Sequence, residues 1–383
     1  MQYPTDPGRR RWLRRWALPA GLALSPPVFA QGKGDGGGRT EARMVQLLDL
    51  SVAQQELSRD YSTGVRLAWA VEGQKGRPLS RISLETVNTD GSAAAVNAAL
   101  DRIAQDAGIL ALVGTVGDAL AVRVQDGLTQ RGLKLPHLGP WMADGRHDGD
   151  DTLALLFASR SMQLRKALGS AYGMGVNELI VVYSTPEDQR LYDPEVSAMA
   201  QSLGLKLRRL TGSSVTQPAA LAARLPVGGT MILFLATSAE VAQFTQAMAR
   251  RGDHRFVLAL GDVDAPSLMQ FTPGRGVPVI LTQVVPSPLR SRLSVVETYR
   301  SRLGELYDEP PSTISLAGYL AGQYTAALVR EAGTPLTRER LLEGVAKRRP
   351  LTLGGWTVDF RDGRRGSQFV NPTLLDASGR LIG

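Results

Sequence analysis

The chain contains no cysteine and only three histidines among its 383 residues. The absence of cysteine excludes disulfide bonds, thiolate metal sites, cysteine nucleophiles and a lipid anchor attached to cysteine. The sequence motifs H-E-x-x-H, G-x-S-x-G and G-x-x-x-x-G-K-[ST] are also missing, which excludes the commonest metalloproteases, serine hydrolases and P-loop enzymes. An enzyme would therefore have to use a carboxylate pair formed in space, which the spacing along one sequence does not reveal.

No apolar run is long enough to span a membrane stably. The longest candidate, residues 16–24, follows an arginine-rich segment at residues 9–14 and precedes the small-residue end VFA. This order is typical of a cleaved signal peptide, so we expect a signal over residues 1–30, a flexible leader over 31–42 and a periplasmic mature chain without a membrane anchor. The arginine-rich start also resembles a twin-arginine signal, which leaves two export routes open, the general secretory route and the twin-arginine route.

The net charge of +8 does not indicate a nucleic-acid surface. Half of it comes from the first 30 residues, and no later segment concentrates the rest. The acidic loop at residues 144–151 is either a solvated surface loop or a binding site for a hard cation. We favour the surface loop because EF-hand spacing is absent. GKGDGGG formally contains G-x-G-x-x-G, but no strand precedes it, so we interpret it as leader. We therefore expect no metal, cofactor or nucleic-acid partner.

From residue 44 onward, short apolar runs alternate with segments of helical periodicity, as in parallel strands joined by crossover helices. The expected strands form two similar sets of five, at residues 44–50, 82–87, 109–113, 135–138 and 153–157, and then at 179–183, 205–210, 231–235, 256–260 and 277–281. Two such sets predict an α/β fold with two doubly wound parallel-sheet lobes. Three helical segments follow, near 293–307, 314–331 and 338–346, and a strand-rich tail around 356–360 and 373–375 completes one lobe or braces the hinge.

Several segments, in their order and spacing, resemble one family along nearly all of the mature chain. They are Leu50-Ser51 followed by GVRLA at residues 64–68, LVG at 112–114, GLKLPHLGP at 132–140, the segment 295–329, and GGWTVDFRDGRRG at 354–366. In these segments the sequence resembles the leucine/isoleucine/valine-binding branch of the periplasmic solute-binding proteins, the two-lobed type I receptors of ABC transporters. The resemblance implies that each lobe is discontinuous in sequence. It places lobe 1 at residues 43–157 plus 288–351 and lobe 2 at 158–287 plus 352–383, joined by a hinge of several crossovers.

The resemblance also implies a function. We expect a monomeric, non-enzymatic receptor that captures a small polar ligand, either amino-acid-like, an amide or an amine, between closing lobes and delivers it to an ABC transporter permease. Two alternatives stay open. One is a soluble sensory partner of a membrane signalling protein, and the other is an enzyme with an unrecognised acid pair in the cleft.

The family's ligand-contacting positions are occupied by unusual residues here. Leu57 stands at the place of a family tyrosine, and Asp118 and Ala143 stand where hydroxyl side chains help to hold the ligand carboxylate. Asp262 falls where the family often places an acid that receives an ammonium group. Carried over position by position, the resemblance gives as candidate ligand-binding residues Ser51, Asp118, Trp141, Met142, Ala143, Thr185, Tyr192, Thr237, Ser238 and Asp262.

Each candidate also has a purely structural interpretation. Asp118 and Asp262 are good helix caps, Trp141 is suited either to hinge packing or to stacking on a ligand, and turn hydroxyls usually satisfy nearby backbone groups. An aspartate repels a carboxylate where a serine would donate to it. We therefore expect weak or no binding of leucine, isoleucine and valine, and a preference for a ligand with hydrogen-bond donors or a cationic nitrogen.

Overall fold

The computed structural model describes residues 42–213, 217–229, 231–271, 276–361 and 364–382. The predicted signal peptide, and all but the last residue of the predicted leader, lie outside these ranges. Within them, no helix combines the length and the apolar character needed to cross a membrane.

The first half of the chain builds a parallel sheet with helices on both faces. Its strands are β1 (Ala42–Asp49), β2 (Ile82–Thr89), β3 (Ile109–Val113), β4 (His137–Leu138) and β5 (Leu153–Ala154), and its helices are α1 (Gln55–Glu72), α2 (Ala93–Gln105) and α3 (Asp118–Gln130). The strand order is β2-β1-β3-β4-β5. Strand β3, of sequence ILALV, is buried along its whole length. Leu112 packs among residues of α2 and α3 and Val113 among residues of α1, which is why the strand is continuously apolar.

A second parallel sheet follows. Its elements are α4 (Arg160–Gly173), β6 (Glu178–Tyr183), α5 (Pro186–Leu203), β7 (Lys206–Thr211), α6 (Pro218–Ala223), β8 (Met231–Leu235), α7 (Ser238–Arg250), β9 (Phe256–Ala259), α8 (Ala265–Phe271) and β10 (Val279–Gln283). Strand β8, of sequence MILFL, is again wholly buried and pairs in parallel with β6 and β9. Its aromatic residue Phe234 packs against Phe244 of α7, with 4.7 Å between ring centroids.

The C-terminal part of the chain contributes to both sheets. Its elements are α9 (Ser294–Leu306), α10 (Thr313–Ala332), α11 (Arg338–Lys347), β11 (Leu351–Leu353), β12 (Trp356–Val358), β13 (Asn371–Leu375) and β14 (Leu381–Ile382). Strand β13 pairs antiparallel with β10, so the second sheet has the order β14-β13-β10-β9-β8-β6-β7. Helices α9 and α10 pack in the core of the first sheet. The chain therefore passes between the two lobes three times, after β5, after β10 and after β12.

The alternation of strands and helices predicted from the sequence is confirmed. All ten predicted strands are present, although β4 and β5 are shorter than predicted, with two residues each. One reason is Pro136, which has no N–H to donate to a ladder. In the predicted tail, β13 extends the second sheet, whereas Trp356 and Val358 of β12 lie in the core shared with α1 and α10. The exact residue boundaries of the lobes stay a prediction.

Helices α1 and α10 pack at very short distance because glycines lie at their contact. A Cβ on Gly64 would fall 1.8 Å from the carbonyl oxygen of Ser315, and a Cβ on Gly318 would fall 2.0 Å from the carbonyl oxygen of Tyr61. Both obstacles are backbone atoms, which no change of rotamer removes. The glycines therefore fix the start of α10 against α1.

We expect Gly318→Ala to destabilise the protein by about 1–3 kcal/mol or more, because the added methyl group forces the two helices apart. This cost outweighs the gain of about 1 kcal/mol in helix propensity that alanine brings. The matched control is Gly304→Ala on α9, where a Cβ meets no atom within 4 Å. Urea unfolding followed by circular dichroism is the measurement, and equal midpoints for the two variants would contradict the close packing.

Candidate ligand-binding cleft

One cavity of about 400 Å³ lies between the two lobes. The first lobe contributes the start of α1 (residues 53–60) and the turn into α3 (117–119), and the second contributes Arg160 and residues from the segments 184–192, 235–240 and 260–267. Most of these segments follow the carboxyl ends of parallel strands, where ligands bind in open α/β sheets. The volume lies within the usual range of small-molecule sites, roughly 300–1,000 Å³.

The structure brings six of the ten candidate residues to this cavity. They are Asp118, Thr185, Tyr192, Thr237, Ser238 and Asp262. The other four, Ser51, Trp141, Met142 and Ala143, lie outside the lining that the described residues form. Ligand contact by any of the ten stays a prediction, but the local partners of each side chain are now defined.

Asp118 neither caps its own helix nor carries an unbalanced charge. Gly117 is the N-cap of α3, and Asp118 is the first helical residue. Its Oδ1 accepts hydrogen bonds from the backbone N–H of Ala143 (2.6 Å) and of Asp144 (3.1 Å), and its Oδ2 forms an ion pair with Arg160. The carboxylate thus ties the turn of α3 to the loop after β4 and to the first residue of α4.

Arg160 lines the cavity but is not among the candidates predicted from the sequence, and the same is true of Glu56, Asp60 and Asp264. Arg160 is only 5% exposed and lies between Asp118 of the first lobe and Glu195 of α5, which accepts from its Nη1 at 3.0 Å. Its guanidinium lies 4.5 Å from the centre of the Tyr192 ring. Burial by itself lowers the pKa of Arg160, but the charges of Asp118 and Glu195 outweigh burial and raise it. A signal was present, since an arginine in the first turn of a helix opposes the helix dipole and needs acidic partners elsewhere.

Trp141 belongs to the wall behind the cavity. Its ring packs against Tyr61 and Phe157, with centroids 5.9 and 5.4 Å away, and the residue is 5% exposed. Its Nε1 donates a hydrogen bond of 2.7 Å to Oδ1 of Asp262, which is in the loop after β9. This bond connects the two lobes, and it favours the packing interpretation of Trp141 over ligand stacking.

Asp262 lines the cavity and keeps accessible surface, although protein atoms surround its carboxylate. Burial raises the pKa of Asp262 to about 6, the charge of Asp118 adds to the rise, and the hydrogen bond from Trp141 opposes it. The carboxylate is therefore half ionised near pH 6 and mostly ionised at neutral pH. A cationic group in the cavity would favour its ionised form.

The three predicted hydroxyl residues all satisfy local groups. Thr185 caps α5 by accepting from the N–H of Asp188 (3.1 Å), and Thr237 caps α7 by accepting from the N–H of Glu240 (3.3 Å). Both belong to capping boxes, in which the carboxylate of the third helical residue accepts a hydrogen bond from the backbone N–H of the cap residue. The Ser238 hydroxyl accepts from the N–H of Asp264 at 3.2 Å. These bonds fix the loops that border the cavity.

The remaining candidates support neighbouring loops. The N–H of Ser51 donates to Oδ1 of Asp49 at 2.8 Å, which shapes the turn before α1. Met142 is buried among apolar residues that include Val122 and Leu153. Ala143 contributes its backbone N–H to Asp118, as described above.

The lining of the cavity is strongly acidic. Among the described residues it includes one base, Arg160, and the eight acids Glu56, Asp60, Asp118, Glu187, Asp188, Glu240, Asp262 and Asp264. Burial raises the pKa of Asp60 to about 7, and the carboxylate of Asp264 adds to the rise, while a hydrogen bond from the Ser312 hydroxyl (3.2 Å) opposes it. A ligand that enters this cavity meets an excess of negative charge.

The acidic loop at residues 144–151 is tied to the C-terminal part of the chain by a buried arginine. Arg365, which is 2% exposed, forms an ion pair with Asp148 and donates to the carbonyl oxygens of Met142, Asp144 and Phe157. Within the described ranges, no group of three histidine or acidic side chains is placed to hold a metal ion. The loop serves to join the first lobe to the C-terminal tail.

Comparison with known proteins identifies the family. The model of the periplasmic binding proteins matches residues 43–373. The chain belongs to this family. Periplasmic binding proteins are extracytoplasmic ligand-binding receptors of ABC transporters, and members of the family are binding proteins rather than enzymes. A search of curated proteins gives no match.

Solved structures share the fold. An extracellular ligand-binding receptor from Verminephrobacter eiseniae superposes with a TM-score of 0.80 at 16% identity, covering 90% of this chain and all of that one. A substrate-binding periplasmic protein from Ralstonia solanacearum gives 0.78 at 22% identity, with 89% and 99% covered. The branched-chain amino acid transporter substrate-binding protein from Streptococcus pneumoniae, solved in complex with isoleucine, gives 0.72 at 12% identity, with 89% and 98% covered. The two-lobed type I architecture predicted from the sequence is confirmed.

Proposed function

We propose that this protein is a periplasmic solute receptor that binds a small polar ligand between its lobes and delivers it to an ABC transporter permease. The observation that carries the proposal is the cavity of about 400 Å³ to which both lobes contribute polar side chains. The arginine-rich start of the predicted signal peptide and the VFA sequence at its end support export with removal of residues 1–30. The receptor acts as a monomer without a membrane anchor.

Closure of the lobes is the proposed working step. Only contacts that differ between the open and the closed form bias the equilibrium between them, so a ligand must touch both lobes to drive closure. Three contacts in the structure already join the lobes: the ion pair of Asp118 with Arg160, the hydrogen bond from Trp141 to Asp262, and the bond from the N–H of Thr313 to Asp264 (3.0 Å). A bound ligand adds to these contacts and stabilises the closed form.

Native mass spectrometry of the chain from residue 31 onward, purified without denaturation, tests the proposal. We expect a bound solute of fixed mass that is released unchanged, because a closed receptor releases its ligand slowly and does no chemistry on it. Recovery of a converted product would favour the enzyme alternative. Stimulation of a permease's ATPase activity by the loaded protein distinguishes transport from the sensory alternative.

We expect ligand to reduce the radius of gyration through rigid-body closure of the two lobes. Small-angle scattering of the protein, first freed of ligand by unfolding and refolding and then saturated with the solute recovered above, is the measurement. A scattering profile that does not change at saturation would contradict the closing clamp.

A further inference from the structure

Four of the eight acids that line the cavity are already balanced by local structure. Asp118 pairs with Arg160, and Glu187 pairs with Arg190 one turn along α5. Asp188 and Glu240 are the third residues of α5 and α7, where capping-box bonds and the positive end of the helix compensate their charge. The other four, Glu56, Asp60, Asp262 and Asp264, have no ion pair with any base in the described part of the chain, although Asp264 accepts hydrogen bonds from the backbone N–H groups of Ser267 (3.3 Å) and Thr313 (3.0 Å).

These four acids form two pairs, one from each lobe. Glu56 and Asp60 lie one helical turn apart on α1, where like charges repel. Asp262 and Asp264 lie two residues apart in the loop between β9 and α8. The hydrogen bonds of Asp60 to Ser312 and of Asp264 to Thr313 end on consecutive residues at the start of α10. Glu56, Asp60 and Asp264 therefore lie close together although they come from different lobes, whereas the neighbours of Asp262 are Trp141 and Asp118.

Closure without a cation has an electrostatic cost. Moving carboxylates of the two lobes toward each other in a partly dehydrated cavity raises their mutual repulsion, which the lower dielectric strengthens. A cation held between the pairs converts that repulsion into attraction to both lobes. Such a ligand has a differential affinity for the closed form, which is the condition for driving closure.

The described lining offers no basic side chain that is free to pair with a ligand carboxylate. Arg160 is the single base of the described lining, and Asp118, Glu195 and the Tyr192 ring already occupy its guanidinium. A ligand carboxylate would displace one of these acids or remain unpaired among eight others. A second feature points to a ligand with donors. The side-chain Oε1 of Gln54, a residue of the same lining, is shielded from solvent and accepts no hydrogen bond within the described ranges.

We propose that the ligand is a small organic polycation, with two or more ammonium or guanidinium groups and no free carboxylate, held between Glu56 and Asp60 of one lobe and Asp262 and Asp264 of the other. This inference rests on the proposed function, since it names the class of solute that the receptor binds. One cationic group per lobe matches the one pair of acids per lobe. The sequence predicts that Asp118 repels the carboxylate of an amino acid. In the structure Asp118 is paired with Arg160, so we assign this selectivity to the four acids without basic partners.

Isothermal titration at pH 8 and low salt tests the class with four probes. Putrescine, a diamine, and agmatine, an amino-guanidine, carry the proposed pattern, whereas lysine adds a carboxylate and butylamine removes one charge. We expect at least one of the first two to bind with micromolar affinity, and lysine and butylamine to bind at least about tenfold more weakly. Asp60→Asn and Asp262→Asn are each expected to weaken the dication about tenfold or more. Glu297→Gln, an exposed acid of α9 outside the lining, is the matched control and leaves affinity unchanged.

The outcomes separate this inference from the function on which it rests. If all four probes bind more weakly than millimolar while a different solute co-purifies and closes the lobes, the polycation class is wrong and the receptor function stands. If no solute co-purifies and none of the probes changes the scattering profile, the receptor function fails as well. Equal affinity for putrescine and lysine would also overturn the class. Thermal melting of each variant confirms that it is folded before titration.

Discussion

Replacing Arg160 with methionine is expected to lower the free energy of unfolding by about 3–5 kcal/mol at neutral pH. The substitution leaves the Asp118 carboxylate in the interior without its cation, and it removes one partner of Glu195. Two backbone N–H groups still donate to Asp118 and stabilise its charge. We therefore expect a loss at the lower end of this range. The loss also weakens the connection between the lobes, because Asp118 and Glu195 lie on opposite sides of the cleft.

Urea unfolding of two further variants measures how much of the lost stability comes from the ion pair of Arg160 with Asp118. The double variant Arg160→Met with Asp118→Asn is expected to regain part of the lost stability, because it removes the uncompensated charge that the single variant creates. Arg190→Met is the matched control, since Arg190 also pairs with an acid of the lining, Glu187, but both side chains are at least 70% exposed. Such surface pairs contribute little. Equal losses for Arg160→Met and Arg190→Met would contradict a buried role for Arg160.

The sequence was sufficient for the fold because its signals are local. The runs ILALV and MILFL are continuously apolar, and only a strand covered on both faces requires that pattern over five residues. The ends of β4 and β5 were less predictable, because Pro136 precedes β4 and the chain leaves the first sheet for the second lobe after β5. The pairing of β13 with β10 also follows from tertiary packing rather than from a local pattern.

The site was predictable only in part, for a related reason. The resemblance to the family pointed to positions such as Asp118 and Asp262 but carried no information about their partners. Arg160 is 42 residues from Asp118 and 35 from Glu195 along the chain, so only the folded structure shows that it neutralises them. Asp60 lies within α1, and an acidic residue in a helix ordinarily indicates a solvent-exposed face. Its proximity to Asp264 depends on how α10 meets both lobes.

The wild-type protein is expected to lose stability relative to Asp60→Asn as the pH rises from about 4 to about 7. Burial and the Asp264 charge raise the pKa of Asp60 to about 7 in the folded protein, above the value of 3.8 for an unperturbed aspartate. The folded state therefore holds a proton that the unfolded state releases, and the contribution of Asp60 to stability declines with pH across that window. At about 1.4 kcal/mol per pH unit, this shift corresponds to about 4–5 kcal/mol at pH 8 as an upper bound.

Most of the groups that face Asp60 raise its pKa. Glu56 on α1, Glu309 in the connection before α10, and Asp264 from the other lobe all raise the pKa of Asp60, and only the Ser312 hydroxyl opposes them. Asp264 and Asp262 also have raised pKa values, chiefly through burial. The Asp60→Asn variant therefore keeps the part of the pH dependence that comes from Asp262 and Asp264.

Urea unfolding of wild type and Asp60→Asn between pH 4 and pH 8 measures the effect. The two proteins are expected to be similar at pH 4 and to diverge as the pH rises, with the variant the more stable at pH 8. Asp90→Asn is the matched control, because hydrogen bonds from Ser92 lower the pKa of Asp90 rather than raise it, and removing that carboxylate brings no gain at high pH. Parallel pH profiles for wild type and Asp60→Asn would show that Asp60 is ionised in the folded protein throughout this range. The repulsion between the lobes would then already be relieved without a ligand, and a cation would gain no preference for the closed form from Asp60.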